Sequence, residues 1–325
     1  MVRKVQSLRL NSDGLPLGRR CWVFRSIYWQ RQSLYVGRIT KFKPIPPKVN
    51  RTSNASAGST ADTNTPPASN DRVLAAVKTM PSGGGYQISA GAFTALGRAV
   101  VVDQSGNLSI RFDEAKPSFC SGATYLIFLA VISQVSLEGW LHLNPSVIQA
   151  LLVNNQPDGA GVWGRWNANG PGTARLFYEL GLGRNLTSFE EGRAGDFLKM
   201  FWTEDIGANE FGHSVIYLGS SPGNGSEELV TFWSSNVPDG FGYKTVPKSK
   251  IRRALFSRLE NLLAIGEVRN LAARDEYLAA MLRRPSTEEE LLSMVGIARP
   301  SLNQDSSDSR PSSPSDAQEK AGANS

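Results

Sequence analysis

SFCSGATYLIFLAVI, residues 118–132, is the most apolar stretch of this 325-residue chain, and a cysteine stands near its start. Pro117 comes before it, and Ser118 is a residue type that favours the N-cap of a helix. The uninterrupted apolar run, residues 123–132, is ten residues long, which is typical of a buried core helix rather than a transmembrane span. We therefore predict a buried helix that begins near Cys120.

Downstream of this helix the hydrophobic pattern changes to the period of two that is typical of strands. Four consecutive segments show it: residues 195–202, 213–219, 228–236 and 242–247. Their short connections predict an antiparallel meander. An earlier hairpin is expected within residues 97–112, and shorter helices are expected after Pro145 and at residues 173–182. The predicted fold class is α+β, with the cysteine helix packed on the sheet.

The segment after Pro247 is predicted to be helical. Ile251, Leu255, Leu259 and Leu262 fall on one face of a helix. Two further helices are expected, one over residues 267–282 and one from Ser286, whose spacing to Glu289 fits a capping box.

Composition divides the chain into a folded body and polar extensions. Residues 1–48 form a basic arm, and residues 1–51 carry 12 Lys or Arg against one acid, so the remainder of the +6 chain is net negative. Residues 49–72 and 300–325 are Ser-, Asn- and Pro-rich and predict disordered segments. The body, residues 73–299, is thus acidic, and we do not expect nucleic acid as its partner.

Cys120 is the strongest candidate for a catalytic side chain. A thiol attacks as its thiolate, and the positive end of a helix dipole together with a nearby imidazole lowers its pKa. The chain has two histidines: His142, just after the apolar helix, and His213, at the start of a predicted strand. Two Cys and two His do not assemble a convincing zinc site, so no metal or cofactor is expected. The alternative is that Cys120 is an inert buried thiol.

Three short motifs in order, FCSGATYL, AGDFLKMFW and GHSVIYLG, resemble the papain-like cysteine hydrolases of the NlpC type and the related CHAP amidases. The resemblance covers residues 116–247, with residues 140–190 as an insertion. It implies a cysteine peptidase or amidase acting on peptidoglycan stem peptides, with Cys120 as nucleophile and His213 as base. A cell-wall substrate requires export, yet we find no clear signal peptide in the sequence.

A third residue is expected to orient the imidazole. A symmetric hairpin after the His213 strand places Ser234 and Asn236 on one face and Ser235 on the other. The resemblance implies His, Asn or Gln in this role, which favours Asn236, whereas a one-residue bulge selects Ser235. Asp196, in AGDF, is interpreted as a turn residue.

A glycine-rich loop, residues 158–172, is predicted inside the insertion. Trp163, Trp166 and Asn167 on this loop, with Ser121 beside the cysteine, are candidate substrate-binding residues. The alternative is that the loop residues pin the loop to the body of the protein. Two alternatives to the hydrolase remain: a non-catalytic binding domain that uses the tryptophan loop, and an acyltransferase that forms a thioester on the same scaffold.

Overall fold

The computed structural model describes residues 69–298, and the basic arm and the C-terminal tail lie outside this range. Eight α-helices are described: α1 Ser69–Thr79, α2 Ala90–Ala99, α3 Cys120–Leu137, α4 Pro145–Leu151, α5 Gly161–Trp166, α6 Gly172–Leu180, α7 Glu276–Ala280 and α8 Glu288–Met294. Nine strands are described: β1 Gly83–Gly84, β2 Val100–Val102, β3 Leu108–Ile110, β4 Gly183–Leu186, β5 Phe197–Phe201, β6 Gly212–Pro222, β7 Glu228–Asn236, β8 Gly240–Pro247 and β9 Arg253–Leu259. The fold is α+β.

The centre of the molecule is α3, which begins at Cys120 as predicted. Tyr125, Leu126 and Phe128 are completely buried, and most of the helix is enclosed on all sides. Each such large apolar side chain stabilises the fold by about 1.5–3 kcal/mol. By length and composition α3 is the described helix that is apolar enough to cross a membrane, but here it is a core helix. Phe119 is its N-cap residue, and Ser118 instead hydrogen-bonds Ser235.

The main sheet has seven strands in the order β1-β8-β7-β6-β5-β9-β4, with antiparallel pairing throughout. The predicted meander is present as β5 to β8, and the predicted early hairpin is β2 with β3. The helices predicted after Pro145 and over residues 173–182 correspond to α4 and α6. Side chains alternate along each strand, so the sheet has one face toward α3 and one face away from it.

The two faces bury different clusters. The face toward α3 contributes side chains to the main core, among them Phe197, Ile216, Trp233 and Phe241. The other face carries a second cluster that includes Leu198, Met200, Val215, Tyr217, Val230, Phe232 and Phe256. Both faces of the central strands are therefore covered by protein.

The prediction of a helix after Pro247 is wrong. Residues 253–259 form β9, inserted between β5 and β4, and the pattern misled because residues four apart share a face in a strand as well as in a helix. The intervening Ala254 and Phe256 are also buried, as expected of a strand covered on both faces.

Three other boundaries differ from the prediction. Residues 267–282 do not form one helix: a 3₁₀ segment covers Leu262–Asn270, and α7 is a single short turn. At the other end, α1 reaches into the predicted linker, because Asn70 bonds Asp196 and Arg72 forms an ion pair with Glu138 of 2.6 Å. The capping prediction near Ser286 is displaced by one residue, since Thr287 caps α8.

Candidate functional site

Cys120 is the first residue of α3, and its sulfur is almost completely buried at 1% exposure. Three hydrogen bonds act to lower the pKa of this thiol: from the N–H of Ser214 on β6, from the N–H of Ser121 in the first turn, and from the Tyr86 hydroxyl.

Burial nevertheless dominates the acidity of this thiol. It raises the pKa of Cys120 above its ordinary value, and the hydrogen bond from Ser214, the charge of Lys199 and the hydrogen bonds from Ser121 and Tyr86 oppose this only in part. The resting cysteine is therefore a neutral thiol at pH 7, which differs from the lowered pKa expected from the helix dipole.

His213 and Asn236 meet at the open end of the β6–β7 pair. The imidazole Nε2 lies 3.1 Å from Asn236 Oδ1. Burial lowers the pKa of His213 to about 4, although the hydrogen bond to Asn236 raises it, and the charges of Lys244 and Lys199 lower it further. The imidazole is thus neutral at pH 7 and able to accept a proton.

The hydrogen bonds of Asn236 determine which imidazole nitrogen is the acceptor. Its Nδ2 donates to the carbonyls of Gly242 at 2.8 Å and Ser234 at 3.2 Å. Its Oδ1 must then be the atom that faces the ring, so Nε2 carries the proton and donates to it. The remaining nitrogen, Nδ1, holds the lone pair, as a general base requires.

The resemblance favoured Asn236, but the symmetric hairpin assumed for this region has the wrong register. Such a hairpin would put His213 opposite residue 233, whereas the structure pairs Ile216 with Trp233, with a bulge between Tyr217 and Gly219. Continuing the recorded register brings His213 opposite Asn236. The two alternatives are engaged elsewhere, because Ser234 Oγ donates to the Ser214 carbonyl and Ser235 bonds Ser118.

The structure places the Cys120 sulfur and the His213 imidazole on opposite sides of the sheet, since His213 pairs with Met200 on the face away from α3. Ile216 packs with the α3 core, whereas the His213 ring lies against Phe232 of the second cluster, with ring centroids 5.7 Å apart. The two residues are joined through the main chain: the N–H that faces the sulfur belongs to the peptide group between His213 and Ser214.

This contact exists because β6 and β7 separate at Ser214. The recorded ladder between the two strands begins at Ile216, two residues later. At Ser214 the carbonyl accepts from Ser234 Oγ at 2.7 Å, and the N–H turns to Cys120. The sulfur therefore lies against the main chain of β6, at the end of the β6–β7 ladder.

Tyr86 is the site residue that the sequence analysis missed. It belongs to a short segment that pairs with both sides of the corner, since its N–H donates to the Pro238 carbonyl and it bridges to Ser118. The preceding Gly83–Gly84 strand has φ values of 71° and 92°, which favour glycine. Burial raises the pKa of Tyr86, so it is a neutral hydrogen-bond donor toward the sulfur.

Ser121 and Asn167 lie together beside the cysteine. Ser121 Oγ donates to Asn167 Oδ1 at 2.6 Å. Asn167 is the C-terminal cap of α5 and is partly exposed, so its Nδ2 is a donor at the surface next to the head of α3. The structure thus brings these two predicted residues to the corner of Cys120.

Trp163 and Trp166 belong to the core and not to the candidate site. They are on α5 rather than on a loop, and each is 1% exposed. Trp166 stacks on Phe128 with centroids 4.8 Å apart, and Trp163 packs on Tyr125 at 5.0 Å. Both rings are core side chains of the α3–α5 contact, so the predicted tryptophan binding loop is wrong.

His142 is exposed beyond the C-terminal end of α3. A helix of 18 residues is roughly 27 Å long, so His142 is too far from Cys120 to be its base. Across residues 69–298, no group of three or more His, Cys, Asp or Glu side chains is placed to hold a metal ion. Asp196 bonds the Arg193 N–H in a turn, as predicted.

Comparisons with protein-family models, with curated proteins and with solved structures found no match to this chain. What this site does is therefore inferred from its own geometry: a buried thiol at a helix N-terminus, set against the peptide group that carries a neutral, oriented imidazole.

Proposed function

We propose that this protein is a papain-like cysteine hydrolase that cleaves an amide bond, with Cys120 as nucleophile, His213 as general base and Asn236 as the residue that orients the base. The observation that carries the proposal is the hydrogen bond from His213 Nε2 to Asn236, which leaves Nδ1 as a proton acceptor on the strand whose Ser214 N–H hydrogen-bonds the Cys120 sulfur.

The first half-reaction requires the His213 ring to turn from the far face of the sheet toward Cys120. Nδ1 then takes the thiol proton while the sulfur attacks the carbonyl carbon. A C–S bond forms and the carbonyl oxygen becomes an oxyanion. The Ser121 N–H and the Tyr86 hydroxyl, which hydrogen-bond the sulfur in the resting site, turn to this oxyanion once the sulfur has attacked. The imidazolium then protonates the leaving nitrogen, the C–N bond breaks, and a thioester with Cys120 remains.

In the second half-reaction, His213 takes a proton from water, which attacks the thioester carbon. The C–S bond breaks, the proton returns to sulfur and the carboxylic acid leaves. Asn167 Nδ2, at the surface beside Ser121, is suited to hold the substrate backbone. With the tryptophans buried, the non-catalytic binding domain loses the surface on which it depended.

The substrate class comes from the three motifs that resemble the NlpC type, and it is a peptidoglycan stem peptide. The test is incubation of the full chain with purified peptidoglycan, followed by mass analysis of the released fragments. We expect fragments with new amino and carboxyl ends, absent with Cys120→Ser. Equal cleavage by Cys120→Ser would refute the nucleophile.

The acyltransferase alternative shares the first half-reaction and differs in the acceptor. Adding an amine such as glycine amide to the same incubation separates the two. A hydrolase yields the free acid at an undiminished rate, whereas a transferase yields the new amide as its main product.

An inert Cys120 is the second interpretation that a specific observation favours, because the sulfur is 1% exposed and its pKa is raised. An inert thiol requires no base, so it predicts that removal of the His213 ring leaves thiol reactivity unchanged. The labelling experiment in the Discussion decides this.

A further inference from the structure

Lys199 is a lysine inside the face of the sheet that packs on α3. Its neighbours on that face of β5 are Phe197 and Phe201, and its side chain is only 11% exposed. A lysine is rarely buried without a partner, and here the ammonium lies 2.7 Å from Glu210 Oε1. The proposed reaction assigns no part to this pair.

Glu210 is fixed by the backbone. It is 1% exposed, and its Oε2 accepts the N–H of Gly170 at 2.5 Å and the N–H of Gly207 at 2.8 Å. The carboxylate therefore cannot follow Lys199 to another position without leaving two N–H groups unpaired. Since Glu210 holds the ammonium, the cation has a fixed place.

The Lys199 ammonium is held next to the strand segment that contacts Cys120. Lys199 pairs in register with Ser214, whose N–H faces the sulfur. The ammonium passes over Gly212, the residue before His213, so closely that a Cβ added at Gly212 would lie 2.9 Å from Nζ. Lys199 also lines a small internal cavity with Ser214 and with Thr124, one turn into α3.

We propose that Lys199 is a positioning residue that acts through Cys120: its fixed cation stabilises the thiolate formed during attack, and Glu210 holds it in place. This inference rests on the proposed function, which gives the thiolate its role. A cation at a fixed distance favours the thiolate over the thiol and disfavours the imidazolium.

The charges around the pair agree with this role. The charge of Lys199 acts to lower both the pKa of Cys120 and the pKa of His213. Lys244 on β8 also acts on His213, whereas Tyr86 faces the sulfur as a neutral donor. Lys199 is thus the charged side chain that reaches both reacting groups.

The experiment measures the pH dependence of Cys120 alkylation by iodoacetamide in the full chain, with Cys21→Ser as parent so that one thiol remains. The double variant Lys199→Met/Glu210→Gln removes the pair without leaving an isolated buried charge. We expect the thiol pKa to rise by about one unit, hence roughly tenfold slower alkylation below that pKa. An unchanged pH midpoint, with only the melting temperature moved, would overturn the proposal.

Two further variants test the direction in which Lys199 and Glu210 shift the thiol pKa. Glu210→Gln keeps the cation and removes its counter-charge, so the thiol pKa should fall, opposite to the double variant. Lys199→Arg should keep the parent pH midpoint. A rise in pKa with Glu210→Gln would show that the pair acts through local structure, and would contradict the role given to Lys199.

A different result would refute the proposed function. If the His213→Ala variant alkylates at the parent rate and no amide is cleaved, Cys120 is not part of a catalytic pair. The Lys199 effect would still be measured, because it concerns the thiol pKa and needs no substrate.

Discussion

Two buried polar corners lie at opposite ends of the β5–β6 pair, and they differ in how much of their hydrogen-bonding capacity is used. Asp196, just before β5, is completely buried and accepts four hydrogen bonds: from Asn70, from the Arg193 N–H and two from Arg258. Four donors fill the acceptor sites of a carboxylate, so no capacity remains for chemistry.

The corner at the start of β6 is incomplete by comparison. His213 uses Nε2 toward Asn236 and keeps a lone pair on Nδ1, while the Cys120 thiol, on the α3 side of the sheet, keeps its proton. A saturated corner of opposite charges stabilises structure, whereas a neutral donor and a neutral acceptor keep the capacity to exchange a proton once they meet. The comparison predicts that substitutions at the two corners separate stability from reactivity.

The largest effect is expected from removal of the base. In the Cys21→Ser parent, His213→Ala should slow alkylation of Cys120 by iodoacetamide at pH 7 by roughly 10²–10⁴-fold, the usual contribution of general base catalysis. The melting temperature should change little. The matched control is His142→Ala, the other histidine, which should alkylate at the parent rate. Equal rates for both variants would establish an inert thiol.

The saturated corner should respond in the opposite way. Asp196→Ala leaves the buried Arg258 without its carboxylate, and breaking such a pair costs about 3–5 kcal/mol. Chemical denaturation measured by circular dichroism gives this loss of unfolding free energy. The alkylation rate of the folded fraction should stay within about twofold of the parent, because Asp196 has no contact with the cysteine corner; a loss of reactivity without a loss of stability would invert the comparison.

Asn236→Ala should have an intermediate effect. It removes one hydrogen bond to the imidazole, worth about 1–1.5 kcal/mol, so alkylation at pH 7 should fall roughly tenfold. Cys120→Ala should abolish alkylation. Ser234→Ala is the control on the same strand and face, since it contacts the Ser214 carbonyl but not the ring. If Ser234→Ala is the slower variant, the orienting residue is misassigned.

The smallest effect concerns pH and stability. The folded pKa of His213 is about 4, below the ordinary value near 6.5, so the unfolded chain takes up the proton first. Stability is therefore lost as pH falls from about 6.5 to about 4, and this loss is complete below that range. In His213→Gln, the fall in melting temperature between pH 7 and pH 4.5 should be smaller by roughly 3–6 °C. Identical falls would mean that His213 is not desolvated.

The start of α3 and the meander could be predicted from sequence because both depend on local patterns. An apolar run after a small-residue turn gives the helix, and alternation with short connections gives β5 to β8. The strand β9 could not be recognised, because residues buried on both faces lose the alternation that distinguishes a strand. Trp163 and Trp166 were misplaced because glycines around them suggested a loop, although tertiary packing against α3 made a helix.

Only those site residues that a single strand or a single helix end positions could be predicted from the sequence. Cys120 and His213 are each placed by their own element, whereas Asn236 was favoured by the resemblance, and the hairpin register assumed for it was wrong by three residues. Tyr86 could not be found, because it is brought to the sulfur by a pairing with Ser118 and Pro238 that no local pattern encodes. Its position after three glycines was the available indication.

The burial of α3 on all sides has a consequence for inhibitors. A helix enclosed along its length cannot slide or tilt to present the residue at its tip, so every reagent must travel to the sulfur. The Tyr86 phenol hydrogen-bonds the sulfur and the Asn167 amide lies beside Ser121, so a reagent must pass side chains to reach Cys120. Slender electrophiles should therefore reach Cys120 long before bulky ones, and shape rather than intrinsic reactivity should rank them.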